Sequence, residues 1–191
     1  GDRRIKYILK HINRIGVFTT ARYFINRMIE PKDGLISIKV PGLLHPILLR
    51  NESYDIHIFY QIFIAEELEF NYENNVTTIV DCGANIGLST LYYKRRFPKA
   101  IIYSIEPEDN NYNLLKENTK FYPDVICLKK GIYGKDCDLY LIDIGEGEAS
   151  YQVVEKSDKG IVLNTIQCKT IDSIMEEFKI DRIDILKMDI E

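Results

Sequence analysis

The segment Asp81-Cys82-Gly83-Ala84-Asn85-Ile86-Gly87 sets a carboxylate at the end of an apolar run and two glycines in the residues that follow. The run 76–82 (VTTIVDC) reads as a strand, and the residues from about 86 to 96, with Leu88, Leu91 and Tyr92 on one side, read as a helix. The glycines therefore fall in the turn between them, which is where a doubly wound α/β sheet binds its ligand, outside the carboxyl ends of its strands. Without Cβ atoms, one glycine allows a tight turn and close approach of a ligand, and the other lets helix and strand pack closely. Asn85 stands where the G-x-G-x-x-G turn of dinucleotide sites has its second glycine, which impedes a pyrophosphate. Asp81 repels that group too, and attracts an ammonium.

A second carboxylate, Glu106, ends the run 100–105 (AIIYSI), nineteen residues beyond Gly87, and Pro107 fixes the turn that aims it. A side chain there can accept hydrogen bonds from both hydroxyls of a ribose. Together these residues ask for a ligand with a ribose, an amino acid end and no pyrophosphate, a description that S-adenosylmethionine fits. The plainer alternatives are an ordinary strand-to-helix connection at the glycines and a solvated strand end at Glu106.

A third acidic group, Asp189 with Glu191 two residues on, closes the run 183–189 (IDILKMD). Asp189 has three readings: a base that takes the proton of an acceptor hydroxyl, one of two carboxylates on a divalent cation, or the N-cap of a following helix. No third ligand accompanies the pair, so no metal site is assigned. Lys187, in an apolar strand, is expected to snorkel or to pair with an acid. Arg50, Ser53 and Asp55 are candidates for closing over the ligand, and the loop 145–150 (GEGEAS) is a candidate lid or an ordinary surface loop. His11, His45 and His57 lack metal-ligand spacing, and Cys82, Cys127, Cys137 and Cys168 lack C-x-x-C spacing, so packing roles are expected for both sets.

The elements that position these groups are legible in the periodicity. Strands at 76–82, 100–105 and 125–130 alternate with helices at about 86–96 and 108–119, the pattern of parallel βαβ units. Further strands are expected at 138–142, 162–168 and 183–189, with a helix at 170–178. Upstream, 54–70 reads as one helix and 35–40 and 46–50 as a short hairpin. The fold class is α/β, a Rossmann-like doubly wound, mostly parallel sheet behind an N-terminal helical extension.

The chain of 191 residues fits one domain. With 46% hydrophobic and 28% charged residues, its composition is globular. The net charge of -4 hides an asymmetry: residues 1–30 carry seven Lys/Arg against two acids, which leaves -9 on the rest. An acidic body argues against nucleic acid as the main partner. No apolar run reaches the ~20 residues of a transmembrane helix and no secretory leader is visible, so a cytoplasmic location is expected. Residues 4–15 and about 19–29 form basic, amphipathic helical patterns that suit packing on the domain or a partner, or a membrane surface.

Three segments, VDCGANIGLSTLYY, YSIEPEDNNYNLLKEN and IDILKMDIE, resemble in order and distance the successive motifs of the FkbM-type methyltransferases, and the upstream LLRNESYDIHIFYQIF is similar to that family's segment before its first strand. The resemblance covers roughly residues 46–191. It implies a class I methyltransferase fold binding S-adenosylmethionine, with Asp81, Gly83, Asn85, Gly87 and Glu106 at the cofactor; beside it, the reading of the residues themselves makes Asp189, as base, and Glu191, as a group that helps bind the acceptor, the catalytic candidates. It also implies O-methylation of a small molecule or of a sugar or glycan hydroxyl. The expected division is an extension at 1–45 and a methyltransferase domain at 46–191, incomplete at its C-terminus because the family's Gly and later strands do not follow Glu191. The exposed C-terminal sheet edge then suggests a homo-oligomer. Two other classes remain open: an NAD-dependent oxidoreductase on a related sheet, and a non-catalytic methyltransferase-like binding module.

Overall fold

A computed structural model describes residues 2–32, 34–73, 75–143, 151–155 and 161–189. Glu191 and the loop 145–150 therefore lie outside the described residues. The chain opens with two helices, α1 (Asp2–Ile15) and α2 (Val17–Ile29), separated at Gly16, which adopts φ +84°. An antiparallel hairpin follows, β1 (Leu35–Ile38) on β2 (Ile47–Arg50), with Ile38 opposite Ile47. The hairpin spans the 45/46 division drawn from the sequence, and one apolar cluster joins Ile15 and Tyr23 of the helices to Ile36, Ile47 and Ile79.

The helix expected over 54–70 is shorter. It runs as α3 (Tyr54–Phe59), capped by Ser53, and continues into a π-helical turn at Tyr60–Ile64 that ends with Ala65 N–H donating to the Tyr60 carbonyl at 2.8 Å. Glu66 takes φ +57°, a conformation no helix can extend through, so 65–70 leave the helix although their composition would suit one.

The alternating core follows: β3 (Thr78–Cys82), α4 (Leu88–Arg96), β4 (Ile101–Ile105), α5 (Asp109–Thr119) and β5 (Val125–Leu128). The short β6 (Gly131–Ile132) then leads to β7 (Cys137–Asp143), β8 (Tyr151–Val154) and β9 (Ile161–Lys169), and α6 (Ile171–Phe178) returns the chain to β10 (Ile185–Met188). The strands β10-β3-β4-β5 form a parallel sheet in that order. Because β4 and β5 lie on one side of β3 and β10 on the other, the strand order reverses at β3, which opens a crevice above its carboxyl end.

Residues of period two in β3 and β4 face opposite clusters. Ile79 and Ile102 pack with Leu88, Leu91 and Tyr92 of α4, while Val80, Cys82, Tyr103 and Ile105 pack with Ile174 of α6. Each of these fully buried aliphatic side chains contributes about 1.5–3 kcal/mol. The strands expected at 138–142 and 162–168 belong to a separate sheet, β6-β9-β7-β8, in which β7 pairs antiparallel with both β8 and β9. Among the described residues no helix is long and apolar enough to cross a membrane.

Candidate functional site

The turn between β3 and α4 takes its shape from three left-handed residues, Gly83 (φ +72°), Asn85 (φ +50°) and Gly87 (φ +91°). Asparagine is the non-glycine residue that best tolerates this region. The turn hangs from the end of β4: the N–H groups of Gly83 and Ala84 both donate to the Ile105 carbonyl at 2.9 Å. Asn85 N–H donates to Glu106 Oε2 at 2.8 Å, so the first carboxylate after β4 is built into the glycine turn. A Cβ on Gly87 would lie 2.8 Å from Leu115 Cδ1, so this glycine makes room for α5 and not, as expected, for helix on strand.

Glu106 is buried, and its other oxygen accepts from Glu108 N–H at 2.9 Å. Burial holds its carboxyl above the ordinary 4.5, against the opposing pull of the Glu108 and Asn85 N–H groups and the Asn111 side chain. The Asn85 Oδ1 atom is buried without a hydrogen-bond partner and its residue lines the cleft, which leaves an acceptor for an incoming donor.

Asp81 has no exposed surface and does not line the cleft. Its Oδ2 accepts from Ser89 Oγ at 2.6 Å and Thr90 Oγ1 at 2.8 Å, both from the first turn of α4. Oδ1 faces the ammonium of Lys187 at 3.3 Å. Asp81 thus has an ammonium of the chain's own beside it. The same Lys187 nitrogen is 3.4 Å from Asp189 Oδ2 and 3.4 Å from the Gly83 carbonyl. Asp189 N–H extends the ladder to the Cys82 carbonyl at 3.0 Å, while its carboxylate is 76% exposed and borders the cleft. Between these groups Cys82 is buried, and burial above all, with the neighbouring Asp81, pushes its thiol up to about 12, which makes it a packing group.

Gly83, Asn85, Glu106, Lys187 and Asp189 meet around one cleft of about 690 Å³. Its far wall was not legible in the sequence: Lys130, Gly131 and Ile132 after β5, and Leu139, Ile166 and Cys168 from the second sheet. Tyr54, Ile58, Gln61 and Ile62 close it from the segment of α3 and the π turn. The signal available was the glycine at 131, where a Cβ would come within 2.7 Å of Cys168 Sγ. Arg50, Ser53 and Asp55 do come together, but outside the lining of this cleft. Arg50 Nε and Nη2 clasp the buried Asp55 carboxylate at 2.8 Å each, and Nη2 also reaches Asn111 Oδ1 at 2.8 Å. Asp55 raises the Arg50 guanidinium above its ordinary value. Among the described residues no three His, Cys, Asp or Glu side chains gather as a metal-binding group.

Residues 81–191, more than half of the chain, match the Methyltransferase FkbM domain. A 40-residue stretch is 52% identical to Methyltransferase sdnD of Sordaria araneosa, covering 21% of this chain and 15% of that protein. A 44-residue stretch is 39% identical to Methyltransferase 1 of Beauveria bassiana (strain ARSEF 2860), covering 23% and 18%. The matched parts are thus a minor share of both relatives. Among solved structures, Methyltransferase FkbM from Methylobacillus flagellatus KT aligns with a TM-score of 0.44 and 20% identity over 70% of this chain and 30% of that one. A SAM dependent methyltransferase from Agrobacterium tumefaciens aligns at 0.35 and 11%, over 55% and 34%. By the match to its domain, spanning the glycine turn, Glu106 and the β10 carboxylate in order, the chain belongs to the FkbM methyltransferase family.

Proposed function

We propose that the chain forms the cofactor-holding part of an S-adenosylmethionine-dependent methyltransferase that methylates a hydroxyl oxygen of a small molecule or of a sugar. The observation that carries this reading is Glu106. Each of its carboxylate oxygens accepts one backbone N–H, from Asn85 and from Glu108, which leaves a further lone pair on each for the two hydroxyls of a ribose. The unpartnered Asn85 Oδ1 beside it and a cleft of about 690 Å³, within the ~300–1,000 Å³ common for such ligands, fit the same group. Gly83, Asn85 and Glu106 would hold it, with Asp81 and Gly87 shaping the turn from below.

When bound, that group would supply an electrophilic sulfonium methyl, which an acceptor oxygen would take in line as the carbon–sulfur bond breaks and the neutral thioether S-adenosylhomocysteine leaves. This chain's residues then have two tasks. Asp189, an exposed carboxylate at the cleft, takes the proton of the acceptor hydroxyl, and Lys187 at 3.4 Å fixes its direction. Ile132, Leu139 and Ile166 line the cleft with apolar surface, which limits water near the reacting atoms. Glu191, two residues beyond Asp189, binds the acceptor in this scheme. All four cysteines are unpaired, which suits the reducing cytoplasm.

Calorimetric titration with S-adenosylhomocysteine, with NAD as control, tests the reading. Micromolar binding that Glu106→Ala weakens at least about tenfold is expected, since a hydrogen bond to a charged group is worth about 1.5–3 kcal/mol. Tighter binding of NAD, or no binding by the folded chain, overturns it.

A further inference from the structure

The first thirty residues hold eight of the nineteen exposed large hydrophobic side chains among the described residues, and seven of the chain's 25 Lys/Arg. No part of the proposed cofactor cleft lies there. On α2 the exposed Phe18 (92%), Ile25, Met28 (84%) and Ile29 lie together along one face, because they recur at helical spacing. The exposed Arg22 sits one turn beyond Phe18 on that face. The opposite face of α2, with Tyr23 and Thr20, is buried against the domain. On α1, Ile5 and Leu9 are half or more exposed one turn apart, among Arg3, Arg4, Lys6 and Lys10. Between the two helices an apolar hollow of about 290 Å³ has Ile8 and Phe24 in its wall and Arg3 and Arg4 beside them.

We propose that α1 and α2 form an interfacial docking surface for an anionic lipid bilayer, with the apolar face of α2 seated at the boundary of head groups and acyl chains. Exposed apolar side chains interleaved with guanidinium and ammonium groups are the chemistry of helices that lie in a membrane surface without crossing it. Charge decides between this occupant and a second copy of the chain. Residues 1–30 carry +5 and the remainder -9, so two such faces brought together repel, while an anionic surface attracts this end and repels the other. The bilayer would therefore hold the chain in one orientation, with the acidic body turned away. The inference goes beyond the proposed methyl transfer and does not depend on it.

Co-sedimentation of the 191-residue chain with vesicles of phosphatidylcholine containing about one quarter phosphatidylserine, against vesicles of phosphatidylcholine alone, is the test. Partitioning at least about tenfold stronger on the anionic vesicles is expected, weakening as salt is raised. The double variant Phe18→Glu/Met28→Glu should lose it, and Arg3→Glu/Arg4→Glu should reduce it severalfold. Both pairs are exposed, so an unchanged melting temperature and unchanged S-adenosylhomocysteine titration certify the fold and separate this result from the cofactor reading. Equal binding to both vesicle types, no binding to either, or binding unaffected by Phe18→Glu/Met28→Glu overturns the proposal. A vesicle-free dimer that the same double variant dissolves overturns it as well, by assigning the face to a second copy.

Discussion

The Lys187 ammonium stands 3.3 Å from Asp81 Oδ1, and the two residues are direct neighbours in the parallel pairing of β10 with β3. Asp81 is wholly buried, and its other oxygen is already held by Ser89 and Thr90. Lys187 therefore neutralises the carboxylate on which the glycine turn and the first turn of α4 converge, and through its 3.4 Å contact with Asp189 it links the turn to an exposed carboxylate of the cleft.

Removing the cation should be costly. Lys187→Met leaves Asp81 buried and uncompensated, and a loss of about 3–5 kcal/mol in urea unfolding is expected. Adding Asp81→Asn should restore much of it, because the double variant buries no charge. A single variant that loses under ~1 kcal/mol would show that the pair contributes only as an exposed ion pair does.

Gly87→Ala joins two penalties at one atom. The backbone is at φ +91°, and the new Cβ meets Leu115 Cδ1 at 2.8 Å. A loss of about 2–4 kcal/mol is expected in the same assay, from backbone strain of ~1–3 kcal/mol and overpacking of similar size that Leu115 partly relieves by rotating. Gly134→Ala, with nothing within 4 Å of its Cβ, is the control and should stay within about 0.5 kcal/mol.

That clash marks the line between what local sequence can reveal and what it cannot. The turn at 81–87, the strand end at Glu106 and the carboxylate at Asp189 were legible because residue type, spacing and period lie within a few positions of one another. The contact of Gly87 with Leu115 and the pairing of Lys187 with Asp81 join residues far apart in the chain, which only the folded sheet brings together. β6, two residues long, is too short to show any period, so no periodicity marks the wall at Gly131 and Ile132. The pattern that predicts a helix over 54–70 is apolar beyond the left-handed Glu66, so it runs past the point where the helix stops.

Glu106 should make ligand binding sensitive to acid. Its carboxyl titrates above the ordinary 4.5, so protonation begins at a higher pH than for an exposed glutamate. S-adenosylhomocysteine affinity should fall on acidification through that range, as the carboxylate ceases to accept from two hydroxyls. Glu106→Gln should bind about 10–100-fold more weakly at neutral pH and lose this dependence. An unchanged pH profile in the variant would assign the titration to another group.

Asp184 works with the opposite sign. Its Oδ2 accepts from Thr77 N–H at 2.8 Å, Thr77 Oγ1 at 2.9 Å and Thr78 N–H at 3.0 Å, and Arg182 Nε donates to Oδ1 at 2.7 Å. These donors, the Thr77 N–H first among them, hold the carboxyl well below its ordinary 3.8. The unfolded chain then binds the proton more readily, so the stability from this group is complete above pH 3.8 and is lost as the pH falls further. Thermal melts of Asp184→Asn should start lower at neutral pH and decline less steeply in acid than those of the parent chain.

The π turn at Tyr60–Ile64 has a bearing on how this cleft can change over time. Its bonding ring encloses one residue more than an α-helical turn, so the side chains before it are rotated relative to those after it. Gln61 thereby meets the cleft and Phe63 and Ile64 stay in the core, with Ile62 bordering both. Deleting a single residue here would restore a regular helix and swing Tyr54 and Ile58 around its axis by roughly 100°. One codon gained or lost at this place is therefore enough to exchange the cleft's upstream wall, with the glycine turn and its two carboxylates left untouched.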